Sequence, residues 1–247
     1  MQDQKAMQVL LSARSIVYAA LGRAFADEPN EDLVGLFVGR DFADVCSAFD
    51  GEACVLSEAL SRVASAGRRR GADGCSREYA RMFVGQQMDV YPYESVHVTG
   101  ERLVFQACTL EVRRAYQAQG FQAVGYPHEP DDHVATELHF MAKLAERALR
   151  ELEEGDAAAC SAALSASFAF LEGHLGLWVK SFARSFREAD GLRNPDGPLE
   201  TDGPESPCGP KSPDAPSFYG ALARFAATFV AMDEGFLRET EAVFEQG

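Results

Sequence analysis

The chain has 247 residues, 47% of them hydrophobic, and a formal charge of −15, which allows a packed core in one large domain or two small ones. A charge of that sign repels phosphate backbones and excludes nucleic acid as the expected partner. An acidic surface keeps a chain soluble and suits basic partners.

The N-terminus, M-Q-D-Q-K-A-M-Q-V-L-L, carries acid and base without a long apolar run, so it does not read as a signal peptide. No uninterrupted apolar stretch has spanning length, and no membrane insertion is expected. Six cysteines form no C-x-x-C pair, a pattern that reads as reduced thiols in a cytoplasm. Cys46, Cys54, Cys108 and Cys160 fall in apolar-periodic segments and are expected as small core residues.

In chain order, nearly every periodic segment has the helical period. Residues 4–26 place Met7, Leu10, Leu11, Val17, Tyr18, Leu21 and Phe25 on one stripe, ended by Pro29 and Asn30. Short helices are expected at 31–38, 41–49 and 52–65, then a basic solvated turn in G-R-R-R-G, 67–71. Helix returns at 77–84 with Tyr79, Met82 and Phe83 toward one side. The run G-Q-Q-M-D-V-Y-P-Y-E-S-V-H-V-T-G, 85–100, breaks the pattern as an irregular aromatic loop. A helix is expected at 101–119 with Leu103 and Phe105 on its stripe, then a linker at 120–130. Residues 131–154 form the clearest helix, with a seam of Val134, Leu138, Met141, Ala145, Ala148 and Leu152. Residues 157–189 are again helical and hold the single tryptophan, Trp178. Seven of the eleven prolines lie in 194–216, five at every third position from 204 to 216, which suits an extended polyproline II path. A helix over 218–244 closes the chain. No strand is expected, so the fold class is all-α, a multi-helix bundle.

The stretch E-P-D-D-H-V-A-T-E-L-H-F-M, 129–141, concentrates the chemistry. Pro130 with Asp131 and Asp132 suits a helix N-terminus, where carboxylates accept unpaired N–H groups. His133 and Glu137, at i and i+4, share a face beside the apolar seam and are expected as a touching, partly buried pair. His139 lies about 200° round the helix from Glu137, on the polar side with Asp132, Thr136 and Lys143. Zinc has little support: there is no H-E-x-x-H, and two ligands on one helix need a third from elsewhere. The Glu-x-x-His element of di-iron bundles, a phosphate loop and a nucleophile elbow are also absent. No metal, cofactor or catalytic set is assigned.

Y-A-R-M-F-V-G (79–85), Y-P-Y-E-S-V (91–96) and the stretch at 129–141 together resemble the TorD/DmsD family in order and spacing. These are cytoplasmic chaperones of molybdenum-cofactor oxidoreductases, also called redox enzyme maturation proteins. The family pattern is Tyr-x-x-Leu-Phe, then Pro-Tyr-x-Ser, then Glu-Pro-x-Asp-His leading into Glu-Leu-x-Phe-Met. Its last element is complete here as Glu129, Pro130, Asp132, His133, Glu137, Leu138, Phe140 and Met141. Met82 stands where leucine is usual, Gln86 where many members have proline, and 194–216 matches nothing in the pattern.

The resemblance implies a TorD-like bundle with a long proline-rich loop before the last helix, no catalytic residue and no cofactor. It also implies partners: the apo catalytic subunit of a molybdopterin oxidoreductase and its twin-arginine leader peptide. The chaperone holds them until cofactor insertion and so prevents premature export. Asp132 and His133 carry over as leader contacts. A twin-arginine leader has a basic end and an apolar helix-forming stretch, so its receptor needs carboxylates beside an apolar groove. Glu94, Asp131, Asp132 and Glu137 are the candidate arginine partners. Tyr79, Phe83, Tyr91, Tyr93 and Met141 are the candidate groove, with Pro92 and Ser95 in the same aromatic loop. For Tyr79, Phe83 and Met141, ordinary core packing is an equally good reading.

The chain divides at the linker into an N-terminal half, 1–128, and a C-terminal half, 129–247, expected to pack as one globule. Exchange of helices across 120–130 makes a homodimer feasible. Two other functions remain open on sequence: a small metal-dependent or acid–base enzyme using His133 and Glu137, and a helical scaffold whose motif only caps a helix.

Overall fold

A computed structural model describes residues 2–51, 53–85, 88–191 and 217–244. They form ten α-helices: α1 Gln2–Ala26, α2 Glu31–Val38, α3 Arg40–Ser47, α4 Val55–Phe83, α5 Glu94–Thr99, α6 Ala107–Ala118, α7 Val134–Glu154, α8 Ala157–Phe170, α9 Gly176–Gly191 and α10 Phe218–Phe244. One π-helical turn, Leu171–Leu175, joins α8 to α9. Among the described residues there is no strand, only an isolated bridge between Tyr93 and His133. The fold is all-α. The proline-rich run at 194–216 and Cys208 lie outside the described residues.

α1 lies along α7 and α10 along α4, so each half of the chain packs on the other. The seam on α7 is real: Val134, Leu138, Met141, Ala145 and Ala148 are fully buried, each large side chain worth roughly 1.5–3 kcal/mol of burial. Gln4–Ala26 and Ala157–Ala189 are long and apolar enough to cross a membrane by length and composition. The expectation of no spanning-length segment therefore holds only for uninterrupted apolar runs. Both segments turn large side chains inward, among them Leu11, Tyr18 and Leu21 on the first and Trp178, Phe182 and Phe186 on the second.

Two long-range polar contacts fix how α10 docks. Arg14 of α1 meets Asp233 through Nε at 2.6 Å and Nη2 at 3.0 Å, and Tyr18 Oη donates to the same carboxylate at 2.8 Å. All three side chains are fully buried, so each charge depends on the other being present. At the N-terminus of α10, the buried Glu78 of α4 accepts from Phe218 N at 3.2 Å and Tyr219 N at 2.8 Å. A remote carboxylate thus caps this helix.

Several boundaries differ from the sequence expectation. The turn expected at 67–71 shrinks to Gly71 alone, at φ 65 and ψ 175, a conformation glycine adopts without the clash of a side chain. Gly67 and the three arginines are helical, because Gly67 packs against Val38, Val34 and Phe218. α4 starts at Val55, where Asp50 accepts from Leu56 N and Ser57 N at 2.8 Å each. Cys54 stands in the turn before it, at φ 47 and exposed, and is not a core residue. The helix expected from 101 begins at Ala107, where Gln106 and Thr109 form a reciprocal capping box. Leu103 and Phe105 are 60% and 53% exposed, and Phe105 has φ 61.

Candidate functional site

Two motif segments far apart in sequence are stitched together by backbone. Glu94 N donates to Asp132 O at 2.9 Å, and Val134 N donates to Pro92 O at 2.8 Å. These bonds run the aromatic loop antiparallel to Asp132-His133, one residue either side of the Tyr93–His133 bridge. The order Pro-Tyr-Glu-Ser against Asp-His is therefore a pairing register.

The acids of the stretch do different work from that expected. α7 begins at Val134 with His133 as its N-cap, not at Asp131 with an aspartate cap. His133 Nδ1 accepts from Ala135 N at 3.1 Å, a bond that protonation would destroy. Burial, opposed by the Asp132 charge, pushes its pKa down to about 4, so the ring is neutral at pH 7 with its N–H on Nε2. Asp132, fully buried, accepts from Ser95 N at 2.9 Å and caps α5 instead of its own helix. Asp131 Oδ2 accepts from both Nε and Nη2 of Arg113, at 2.8 Å and 2.6 Å, and its carbonyl accepts from Tyr116 Oη at 3.0 Å.

Glu137 points inward, away from His133, and the touching pair expected from i,i+4 spacing is not formed. The reason is that His133 precedes the helix and turns back onto Ala135. Glu137 Oε2 accepts from Trp178 Nε1 at 3.0 Å. Its neighbour is Glu94, whose Oε1 lies 3.2 Å from His174 Nδ1. Glu94 Oε2 and Glu137 Oε1 are both buried without a hydrogen-bond partner among the described residues, and the two carboxyls lie close enough for the charge of one to act on the other. Burial first, and the Glu94 charge second, raise the Glu137 carboxyl well above the ordinary range, against the pull of the Trp178 N–H.

The remaining expected site residues fall in three places. Tyr93, half-buried, sets its ring edge-on to His133 at 5.2 Å. Tyr91 lies under Arg102, 5.1 Å from guanidinium to ring, and its carbonyl accepts from His97 Nε2 at 2.8 Å. Pro92 and Ser95 are buried between these elements. Tyr79 and Phe83 form a separate aromatic cluster with Phe25 and Tyr219, and Tyr79 Oη donates to Ala26 O at 3.0 Å. Met141 is fully buried in the α7 seam.

A cavity of about 760 Å³ opens beside the stitched segments, between α1, α7 and the 121–130 loop. Tyr93 and His133 line it together with Phe121, Val124, His139 and Phe140. Glu129, Glu146 and Lys143 stand among its polar lining, with Lys143 Nζ on Glu146 at 2.7 Å. His139 is exposed, as its place on the polar side predicts, and its ring lies across Gly22 of α1, so close that a Cβ there would sit 2.5 Å from it. Phe121 and Val124 were missed by the sequence reading. Their signal is F-Q-A-V between Gly120 and Gly125 in an otherwise polar linker, and Val124 is fully exposed. No group of three or more His, Cys, Asp or Glu side chains able to hold a metal ion occurs among the described residues. Burial pushes the Cys46 and Cys75 thiols up to about 12, which leaves them unreactive near neutrality.

Residues 44–184 match the family model described as nitrate reductase delta subunit. A chaperone protein TorD of Vibrio cholerae serotype O1, strain ATCC 39541, is 25% identical over 240 residues, covering 94% of this chain and 96% of the relative. The TorD of strain M66-2 is 24% identical over the same length. A crystal structure described as a redox enzyme maturation protein of Archaeoglobus fulgidus aligns with 91% of this chain and 93% of its own, at 16% identity and a TM-score of 0.40.

Proposed function

The chain belongs to the nitrate reductase delta subunit family, and from that premise we propose that it is a cytoplasmic chaperone that binds the twin-arginine leader of an apo-molybdoenzyme catalytic subunit. It keeps that subunit from export until the molybdopterin cofactor is inserted. The TorD relatives, similar along nearly the whole chain, support the class of function.

The single observation that carries the leader site is the cavity beside the Tyr93–His133 bridge. Its walls are aromatic and aliphatic, and carboxylates of Glu129 and Glu146 stand in its lining. An apolar leader helix fills such walls while its arginines meet the acids. Tyr93 and the Nε2–H of His133 supply ring surface and one donor. Asp131, Asp132, Glu94 and Glu137 act behind them, holding the two segments in register, because they are buried and one oxygen of each is committed, to Arg113, Ser95, His174 and Trp178 respectively. Tyr79, Phe83 and Met141 belong to the supporting core. An acid–base dyad of His133 and Glu137 has no geometric basis, since the two side chains have separate partners.

The test is fluorescence anisotropy with a labelled twin-arginine leader from the molybdoenzyme encoded nearest this chain's gene. Saturable binding is expected, weakened when both arginines are replaced by glutamine and when His133→Ala is introduced. Equal binding of the leader and its glutamine form would overturn the reading.

A further inference from the structure

A second groove, between α9 and α10, is untouched by the leader site. It has a volume of about 630 Å³, and its lining includes Lys180, Arg184 and Arg187 from α9 and Arg224 from α10. Between them lie Ala183, Ala227 and Thr228, with Met232, the exposed Ala231 and the exposed Val55 at the start of α4 completing the lining. Among the described residues no carboxylate lines it, in a chain whose formal charge is −15.

Lys180, Arg184 and Arg187 stand at i, i+4 and i+7, one stripe of α9, and all three are exposed. Leu177, one turn earlier on that stripe, is 62% exposed. None of the three cations makes an ion pair among the described residues. Glu188, on the same helix, is exposed and does not reach them within ion-pair distance. Like charges one turn apart weaken a helix, so the stripe is not explained by the stability of α9.

Resting on the chaperone reading, we infer that this groove is a second docking surface, which takes an acidic helical segment on the folded core of the client subunit. The basic leader is repelled here, so leader and core engage separate surfaces. Lys180 to Arg187 covers about 10 Å of helix, the span over which a partner helix presents carboxylates one and two turns apart. Arginine grips a carboxylate bidentately, and the small Ala183 and Ala227 let a partner backbone approach closely. A lipid surface is flat and is met by protruding apolar side chains, whereas this groove is recessed between two helices.

The experiment uses the full chain and the apo catalytic subunit encoded nearest its gene, expressed without its leader, with the leader peptide measured separately. The triple variant K180E/R184E/R187E should bind the leaderless subunit about tenfold or more weakly, while its leader affinity stays within about twofold of wild type. Raising salt should weaken the wild-type complex and change the variant little. The urea midpoint of the variant should match wild type, since all three side chains are exposed. Unchanged subunit binding, or equal losses for subunit and leader, overturns the groove. So does loss confined to phosphatidylcholine–phosphatidylglycerol vesicles, which assigns it to lipid. Wild type that binds leader but not the leaderless subunit overturns the groove alone; wild type that binds neither overturns the chaperone reading as well.

Discussion

Replacing Glu137 with glutamine isolates the buried acid pair. Glu94 and Glu137 are 2% and 0% exposed, and burial raises the Glu137 carboxyl well above its ordinary range, so Glu137 holds its proton to a higher pH in the fold than in the unfolded chain. In the unfolded chain both ionise near pH 4.3, the usual value for a glutamate. Unfolding above that pH therefore releases one proton, and stability falls by about 1.4 kcal/mol per pH unit until the folded pKa is reached. His133 has the opposite sign. Its pKa is lowered to about 4 in the fold, so the unfolded state binds the extra proton and stability rises with pH up to the ordinary histidine value near 6.5. The difference between wild type and E137Q cancels the contributions of His133 and of the buried thiols and leaves that of the carboxyl. Glutamine keeps the hydrogen bond from Trp178 but holds no titratable proton. Urea unfolding at intervals from pH 5 to pH 8 should show wild type losing stability relative to E137Q, by up to about 1.4 kcal/mol for each pH unit below the folded pKa. Parallel stabilities, or an E137Q protein that loses more, would refute the raised carboxyl.

Asp132→Ala removes the cap on α5 and should cost about 1–2 kcal/mol, read as a lower urea midpoint, while Asp132→Asn keeps an acceptor for Ser95 N and should cost less. Asp233→Ala strands the buried Arg14 charge and should cost about 3–5 kcal/mol, visible in the same assay. In Gly176→Ala the new Cβ would sit 2.5 Å from the Leu171 carbonyl oxygen, so the π turn that presents His174 must shift, at about 1–3 kcal/mol; an unchanged midpoint would count against that placement. The pair Glu129→Gln and Glu146→Gln should together weaken leader binding roughly 3- to 10-fold, as exposed charge contacts do, with a reduced salt dependence in titrations.

The helices were legible where one stripe faces one core. α1, α7 and α10 follow their apolar periods closely, because burial on a single face sets both period and extent, whereas the stretch expected at 157–189 is helical but divided by a π turn into α8 and α9. Boundaries set by remote groups were not legible. α4 begins where Asp50 caps it from across a turn, and α10 begins where Glu78 of α4, 140 residues away in sequence, does the same. The same limit governs the site. Asp132 and His133 stood out as residue types, but their division of labour depends on a pairing with 92–95 that spacing cannot reveal. The i,i+4 rule for His133 and Glu137 failed because one of them lies just outside the helix. Tyr79 and Phe83 were correctly seen as aromatic and apolar, yet they pack on α1 and α10, away from the cavity. Phe121 and Val124 escaped because a linker was read as polar spacing rather than as a wall.

The leader's location is tested most directly by photocrosslinking, with a benzophenone placed in the apolar stretch of a twin-arginine leader and the adducts mapped by mass spectrometry. Adducts within 121–125 and along 133–143 are the expected result. Adducts concentrated on Tyr79 and Phe83, or in the α9–α10 groove, would contradict the cavity as the leader site.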